Sequence, residues 1–300
     1  MKLLLCLLLA LIHYHQGSGF FLPGGCSSAL GSRWQVATTM LHESSQPSSD
    51  DAAASVDAAM SDTYASLVDR LISRYERQSA ANELKNNQLF VGIAGGPGSG
   101  KSTLAHAVSE AINSRMNASS ACVVLPMDGF HYTRAELQAM GNPPDNEWTY
   151  EELLARRGAP WTFDAEGCIK KFTEARENGK ASLPIYSRVK SDPVNDGVTL
   201  NEETKIVLLE GNYLLAWSDA RWKPLENLFD ETWYISCESL DDQRQRLVKR
   251  HLETWSEEKT KMWGDGEKGA GAKADANDMQ NLLWIESMSK VYADLVIKSI

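Results

Sequence analysis

Four glycines fall within eight residues, Gly95-Gly96-Pro97-Gly98-Ser99-Gly100-Lys101-Ser102, directly after the apolar run Leu89-Phe90-Val91-Gly92-Ile93-Ala94. Few architectures accommodate this. A buried strand must end in a tight loop, and Leu104, Val108, Ala111, Ile112 and Met116 then follow at helical spacing. Glycines leave backbone N–H groups free to curl around an anion. The helix that starts near Lys101 turns the positive end of its dipole toward the same point. An ordinary glycine-rich turn is the bland alternative. However, Gly95, four residues, Gly100, Lys101 and Ser102 match the phosphate-binding loop in full. We therefore expect Gly95, Gly96, Pro97, Gly98, Ser99, Gly100, Lys101, Ser102 and Thr103 to hold the phosphates of ATP. Lys101 would reach the outer phosphates and the Ser102 hydroxyl would sit on Mg²⁺.

The formal net charge of -10 argues against a general nucleic-acid binder, which needs a basic face. It leaves room for one small basic nucleotide site. The five cysteines show no CxxC pair and no metal-ligand spacing. Met1-Lys2 precede the apolar run Leu3 to Ile12, which is too short to span a bilayer. A signal peptide over residues 1–19 is expected, with a tethered N-terminal helix as the alternative. Residues 20–49 are rich in Ser, Gly and Thr and have the composition of a transit peptide. Phe20-Phe21-Leu22-Pro23 after Gly17-Ser18-Gly19 resembles the bipartite leaders of algae whose plastids lie inside an extra ER-derived membrane. The expected address is therefore the plastid stroma, with the secretory pathway as the alternative. No stable membrane anchor is expected in the mature form.

Residues 50–61 are small and acidic and are expected to form a mobile linker. The domain proper, 62–300, opens on an amphipathic helix carrying Tyr64, Leu67, Val68, Leu71, Ile72 and Tyr75. Ala121 to Leu125 reads as a second buried strand and runs into Pro126-Met127-Asp128-Gly129-Phe130-His131-Tyr132. By position Asp128 is either an acid on the ligand edge of a parallel sheet or a turn Asp satisfied by backbone N–H groups. Lys205 to Leu209 is a third strand. It ends in Glu210-Gly211, where a second acid can order Mg²⁺. Glu231 to Ser236 and Ala293 to Ile297 complete the strands. Strands alternating with helices imply an α/β P-loop fold: three layers, a mostly parallel central sheet and helices on both faces.

Between these elements, Thr133 to Glu136 and Thr149 to Glu152 are capping boxes, Asp164 N-caps a helix over 165–177, and Gly141 to Asp145 is a turn. Arg156 and Arg157 read as dipole partners at a helix end. Asn212 to Trp222 reads as packing, and Gly264 to Ala276 as a mobile loop. Asn277 either approaches a ligand or caps a helix.

GIAGGPGSGKSTLA followed by PMDGFHY resembles the phosphoribulokinase/uridine kinase family of P-loop small-molecule kinases. The DGF form is most similar to its pantothenate-kinase side and to poorly characterised relatives. The resemblance spans Leu89 to Ile300 and is weakest from Leu252 to Ala276. It implies that Asp128 is the general base or a Mg²⁺ partner, and that Glu210 at a strand ending in EG stands near the ion. It makes Tyr132, with His131, an acceptor contact. Leu183-Pro184-Ile185-Tyr186-Ser187-Arg188 is similar to the family's PVYS segment, which implies that Tyr186 and Arg188 touch substrate. Pantothenate kinases carry His where Arg188 stands. A cation there favours an acceptor with several hydroxyls or an acidic group. The run DDQRQRLVKRH, 241–251, matches the family's arginine-rich lid, with Arg246 and Arg250 at the best spacing and Arg244 less well placed. Taken alone, such a run is a solvated helix face.

The resemblance implies transfer of the ATP γ-phosphate to a hydroxyl of a sugar, nucleoside or pantothenate-like alcohol, with Mg²⁺ as cofactor. The expected partner is that small molecule and not nucleic acid; a homodimer stays open. The competing readings are a P-loop ATPase or nucleotide-gated regulator, and a non-catalytic binding module. A GTPase switch is disfavoured because no NKxD motif occurs.

Overall fold

The computed structural model describes residues 49–141 and 147–299, with side chains from Met60 onward. The leader segments and the turn at 142–145 lie outside the described residues. Strands β1 (Leu89–Gly95), β2 (Cys122–Pro126), β5 (Ile206–Gly211), β6 (Glu231–Cys237) and β7 (Leu295–Ser299) form one parallel sheet in the order β2-β5-β1-β6-β7. The doubly wound architecture expected from the alternating pattern is present.

Both faces of the sheet are covered, which is why β1 is apolar throughout. Leu89, Val91 and Ile93 pack with α1 (Ser49–Ala80) and α2 (Lys101–Arg115) through Leu67, Leu71, Leu104, Val108 and Ile112. Phe90 and Ala94 face the other way, among Phe172, Tyr213, Trp222 and Ile285. These come from α5 (Ala165–Asn178), the 212–222 segment, which packs as expected, and α9 (Met279–Ser289). Gly92 has no room for a side chain, because a Cβ there would lie 2.9 Å from the Phe229 ring. The fully buried Glu231 carboxylate accepts from Arg70 (2.5 Å) and Arg74 (2.8 Å) of α1 and from the Trp233 indole (2.6 Å). α1 is thereby pinned to the sheet.

Three expectations need correction. Residues 50–61 are helical and continue α1 without a break. Their alanines are strong helix formers. The stretch 264–276 is also ordered, as α8 (Gly266–Lys273) followed by a π-helical turn, Ala274–Asp278. Its small residues serve close packing. A Cβ on Gly269 would lie 2.1 Å from the Gly264 carbonyl, and Ala270 and Ala274 pack on Leu247 and Val248. Third, β3 (Ala181–Ser187) and β4 (Asp192–Leu200) form a separate antiparallel hairpin that the sequence reading did not foresee. Pro184 falls at a register shift in β3, where a missing N–H is tolerated.

α3 (Arg134–Met140) and α4 (Tyr150–Ala155) begin at the expected capping boxes. Asp164 caps α5 by accepting from the Gly167 N–H at 2.9 Å. The segment expected to form the lid is α6 (Leu240–Leu252), followed by α7 (Glu257–Trp263) and α8.

Candidate active site

The loop from Gly95 to Ser102 joins β1 to α2. Gly98 and Gly100 take positive φ values of 76° and 89°, a conformation that side chains resist. Gly95 faces the Ile235 carbonyl, 2.4 Å from where a Cβ would stand, and Gly96 faces Leu282 at 2.7 Å. No side chain caps α2, whose first turn therefore presents free N–H groups beside the loop. Pro97 and Ser99 are buried, while Ser102 and Thr103 are exposed on the first turn of α2. The buried Lys101 ammonium donates to the Gly96 carbonyl at 3.0 Å. Burial holds it below the usual lysine range, against the pull of Glu210 and Asp128.

Strand order brings the two acids to this loop. β5 lies between β1 and β2, and Glu210 stands level with Ile93 on one side and Pro126 on the other. The Ser102 hydroxyl donates to Glu210 Oε1 at 3.2 Å. Burial first, and the Asp128 charge second, push the Glu210 carboxyl up to about 7. Lys101 and the Ser102 hydrogen bond act the other way. Asp128 lies two residues beyond the end of β2, in the 3-10 turn Met127–Phe130. Two glycines set the spacing: a Cβ on Gly211 would meet Met127 at 2.4 Å, and one on Gly129 would meet the Pro184 carbonyl at 2.1 Å.

The glycine cradle and uncapped helix suit a polyphosphate. A hydroxyl with two carboxylates suits a hard cation held mainly through substrate oxygens. Among the described residues no three His, Cys, Asp or Glu side chains are grouped to hold an ion by themselves.

Beyond Asp128, His131 donates from Nδ1 to the Asp128 carbonyl at 2.8 Å. Burial holds its imidazole below the usual range, against the Asp128 charge, so Nε2 is left as an acceptor. Tyr186 on β3 lies 5.1 Å from the His131 ring, between centroids. Its hydroxyl is pushed up by burial, with Asp128 among the charges that act on it. Tyr132 is placed differently. Burial raises its hydroxyl too, but the acids acting on it are Asp164, Glu136 and Glu166, and Asp128 is not among them. Arg188 is exposed in the hairpin turn, and its charge acts on Glu210.

Helix α6, whose sequence resembles the family's lid, packs across the loop. Buried Gln243 donates to the Pro97 carbonyl at 2.7 Å, and Leu247 packs against Gly98. Arg250 acts on both Lys101 and Asp278. Arg246 donates to Ser299 Oγ at 3.0 Å and, with Glu238, Asp242, Gln245 and Lys249, lines an open cavity of about 420 Å³ beside the loop. Arg244 is taken up by a bidentate pair with Asp275, at 2.6 and 2.7 Å, and does not join this group. Gln243 was missed from the sequence. Its signal was a polar residue on the same helix stripe as Leu247. Arg156 and Arg157 are more than dipole partners. Arg156 donates to the Ala276 carbonyl (2.7 Å) and to Gln280, and Arg157 donates to the Tyr132 carbonyl (2.7 Å) and Asp192. Asn277 neither caps a helix nor opens to the loop; it is buried and donates to the Arg157 carbonyl at 3.0 Å.

Residues 90–239 match the model of the Phosphoribulokinase / Uridine kinase family. A candidate uridine kinase of Schizosaccharomyces pombe is 33% identical over 255 residues, 82% of this chain and 94% of its own length. A pantothenate kinase of Sinorhizobium medicae is 29% identical over 167 residues, 53% of this chain and 46% of its own. Among solved structures, a candidate fructose transport system kinase of a Silicibacter species superimposes with a TM-score of 0.57 at 29% identity, covering 70% of this chain and 89% of that one. YFH7 of Saccharomyces cerevisiae, a candidate P-loop kinase with a circular permutation, shares the fold with a TM-score of 0.64 at 18% identity, over 79% of this chain and 99% of its own. The phosphate loop, the two strand-end acids and this breadth of similarity agree: the chain belongs to the phosphoribulokinase/uridine kinase family of P-loop kinases.

Proposed function

We propose that the protein transfers the γ-phosphate of ATP to a hydroxyl of a small metabolite. The observation that carries this reading is the placement of Asp128 at the tip of β2, where its charge acts on both Lys101 and Glu210. A carboxylate beside a phosphate loop can accept the proton of an alcohol held against it. As the alcohol oxygen bonds to the γ-phosphorus, the bond to the β,γ-bridging oxygen breaks. Its electron pair leaves with ADP, and Asp128 later gives its proton to solvent. Lys101 and the loop N–H groups hold the phosphates in line. Arg250, which acts on Lys101, and Arg246, at the flank of the loop, offset charge that develops on the transferring group. Ser102, with Glu210 and Asp128, would hold Mg²⁺, which would offset negative charge on the phosphates. Tyr186, His131 and Arg188 stand on the acceptor side, and Arg188 suits a polyhydroxy or acidic acceptor. The relatives' names span uridine, pantothenate and fructose, so the family alone does not select among alcohols.

The test is ATP consumption by residues 49–300 across a metabolite panel, with products identified by mass. A phosphorylated metabolite supports the kinase reading; free phosphate alone makes the protein an ATPase or nucleotide-gated regulator. Asp128→Asn should lose about 100-fold or more in turnover while keeping ATP binding. Unchanged turnover would remove Asp128 as the base. We also propose that residues 1–49 address the protein to a plastid. A fluorescent fusion of residues 1–50 that stays cytosolic or is secreted refutes that address.

A further inference from the structure

The acceptor side is fastened by a side chain that the proposed chemistry does not use. Arg157 follows α4, and 11% of its side chain is exposed. Its guanidinium donates from Nη1 to the Ser191 carbonyl at 2.5 Å, and from Nη2 to the Tyr132 carbonyl and to Asp192 Oδ1, both at 2.7 Å. It also lies over the Tyr186 ring, 5.4 Å from the centroid. Asp192 Oδ1 in turn accepts the N–H of Arg134, the first residue of α3, at 3.0 Å. One cation thus joins the turn end of the β3–β4 hairpin to the segment that leaves Asp128. The tie lies where the ladder gives way to the 188–191 turn, just past the Ser187–Asp192 pair. Arg157 is itself held from behind, since its carbonyl accepts from buried Asn277 at 3.0 Å.

Burying a guanidinium costs solvation, and apolar packing could brace a hairpin at less cost. A flat cation supplies fixed angles. Two carbonyls, a carboxylate and a ring face are satisfied at once, and any shift of the hairpin breaks several of these contacts together. We propose that Arg157 is a positioning residue for the phosphate acceptor. It sets the separation between Tyr186 and the Asp128 segment, and so the place of the acceptor hydroxyl. This rests on the kinase reading above. Lysine cannot replace it, because a single ammonium cannot reach acceptors on both sides while lying flat on the ring.

In Arg157→Ala, kcat/KM for the acceptor should fall about 100-fold while KM for ATP stays within about twofold. Arg157→Lys should not recover it, and free guanidinium ion should partly restore Arg157→Ala. An equal loss toward ATP, or wild-type behaviour of Arg157→Lys, overturns the proposal. Hydrogen exchange tests the clamp without turnover. Amides of 132–134 and 187–194 should exchange faster in Arg157→Ala while those of 95–102 do not change. Unchanged exchange in the hairpin, or faster exchange throughout the domain, overturns it. If the wild-type protein phosphorylates nothing, the kinase reading fails by itself and the exchange pattern still decides the clamp.

Discussion

Gly129→Ala isolates the contact between the Asp128 turn and the β3–β4 hairpin. Gly129 does not take a positive φ, so what it supplies is space. An alanine Cβ would lie 2.1 Å from the Pro184 oxygen, 2.4 Å from its carbonyl carbon and 2.9 Å from the Ile185 nitrogen. All three are backbone atoms, so no side-chain rotation relieves the clash and no substitution on β3 makes room. To reach ordinary contact at 3.4 Å the hairpin must retreat by about 1.3 Å. Overpacking of this kind costs about 1–3 kcal/mol of stability. The larger effect is on chemistry. A displacement of about 1 Å in a reacting pair can cost on the order of 100-fold, or roughly 2.7 kcal/mol of barrier. The variant should therefore lose about 100-fold in kcat/KM for the acceptor, with a modest fall in the urea midpoint. The Mg·ATP-induced rise in melting temperature should match the wild type, because β1, β5 and the phosphate loop are untouched. A folded variant with wild-type turnover would refute the claim that this approach sets the acceptor geometry. Loss of the nucleotide response along with turnover would move the damage to the β2–β5 core and refute it equally.

Two further outcomes follow from the charges around the loop. Arg250→Ala should lower kcat about 100-fold, since Arg250 acts on Lys101, and Arg246→Ala should lower kcat by less, since Arg246 stands at the loop flank; in both, steady-state kinetics should show the loss in kcat rather than in KM for ATP. Glu210 is raised to about 7 from 4.5, so the folded state binds its proton more tightly than the unfolded chain does. Stability without nucleotide should fall by a few kcal/mol as pH rises from about 4.5 to 7, then level off, and urea titrations of Glu210→Gln should lack that fall.

What was legible in the sequence was local. β1, β2 and β5 announce themselves as unbroken apolar runs, because the middle of a parallel sheet covered on both faces has no polar side, whereas β6 opens on Glu231 and Thr232 and the edge strand β7 exposes Val296 and Lys298. The capping boxes at Thr133 and Thr149 and the cap at Asp164 depend on residues three apart, which a linear reading sees. Composition misled where one residue type has two uses. The alanines of 50–61 read as linker yet build helix, and Gly269 read as flexibility yet lets α8 close on Gly264 and Trp255. The hairpin was hidden because Pro184 and Pro193 break the strand pattern at the level of the Asp128 turn.

Arg157 shows why the remainder of the site was not legible. Its partners Tyr132, Tyr186, Ser191 and Asp192 come from segments 25 to 35 residues away, and Asn277 lies 120 residues on. Nothing near Arg157 in the chain distinguishes it from its neighbour Arg156, yet the two side chains leave the end of α4 in different directions. Arg156 goes toward Ala276 and Gln280, and Arg157 toward the hairpin. The phosphate side is written in one contiguous motif because backbone N–H groups from a single loop can surround an anion. The acceptor side has no such shortcut. On the kinase reading proposed above, a hydroxyl would be placed against Asp128 by groups that the fold gathers from β3, the β3–β4 turn and the end of α4. Acceptor identity therefore depends on a few long-range contacts that can change while the phosphate loop stays the same.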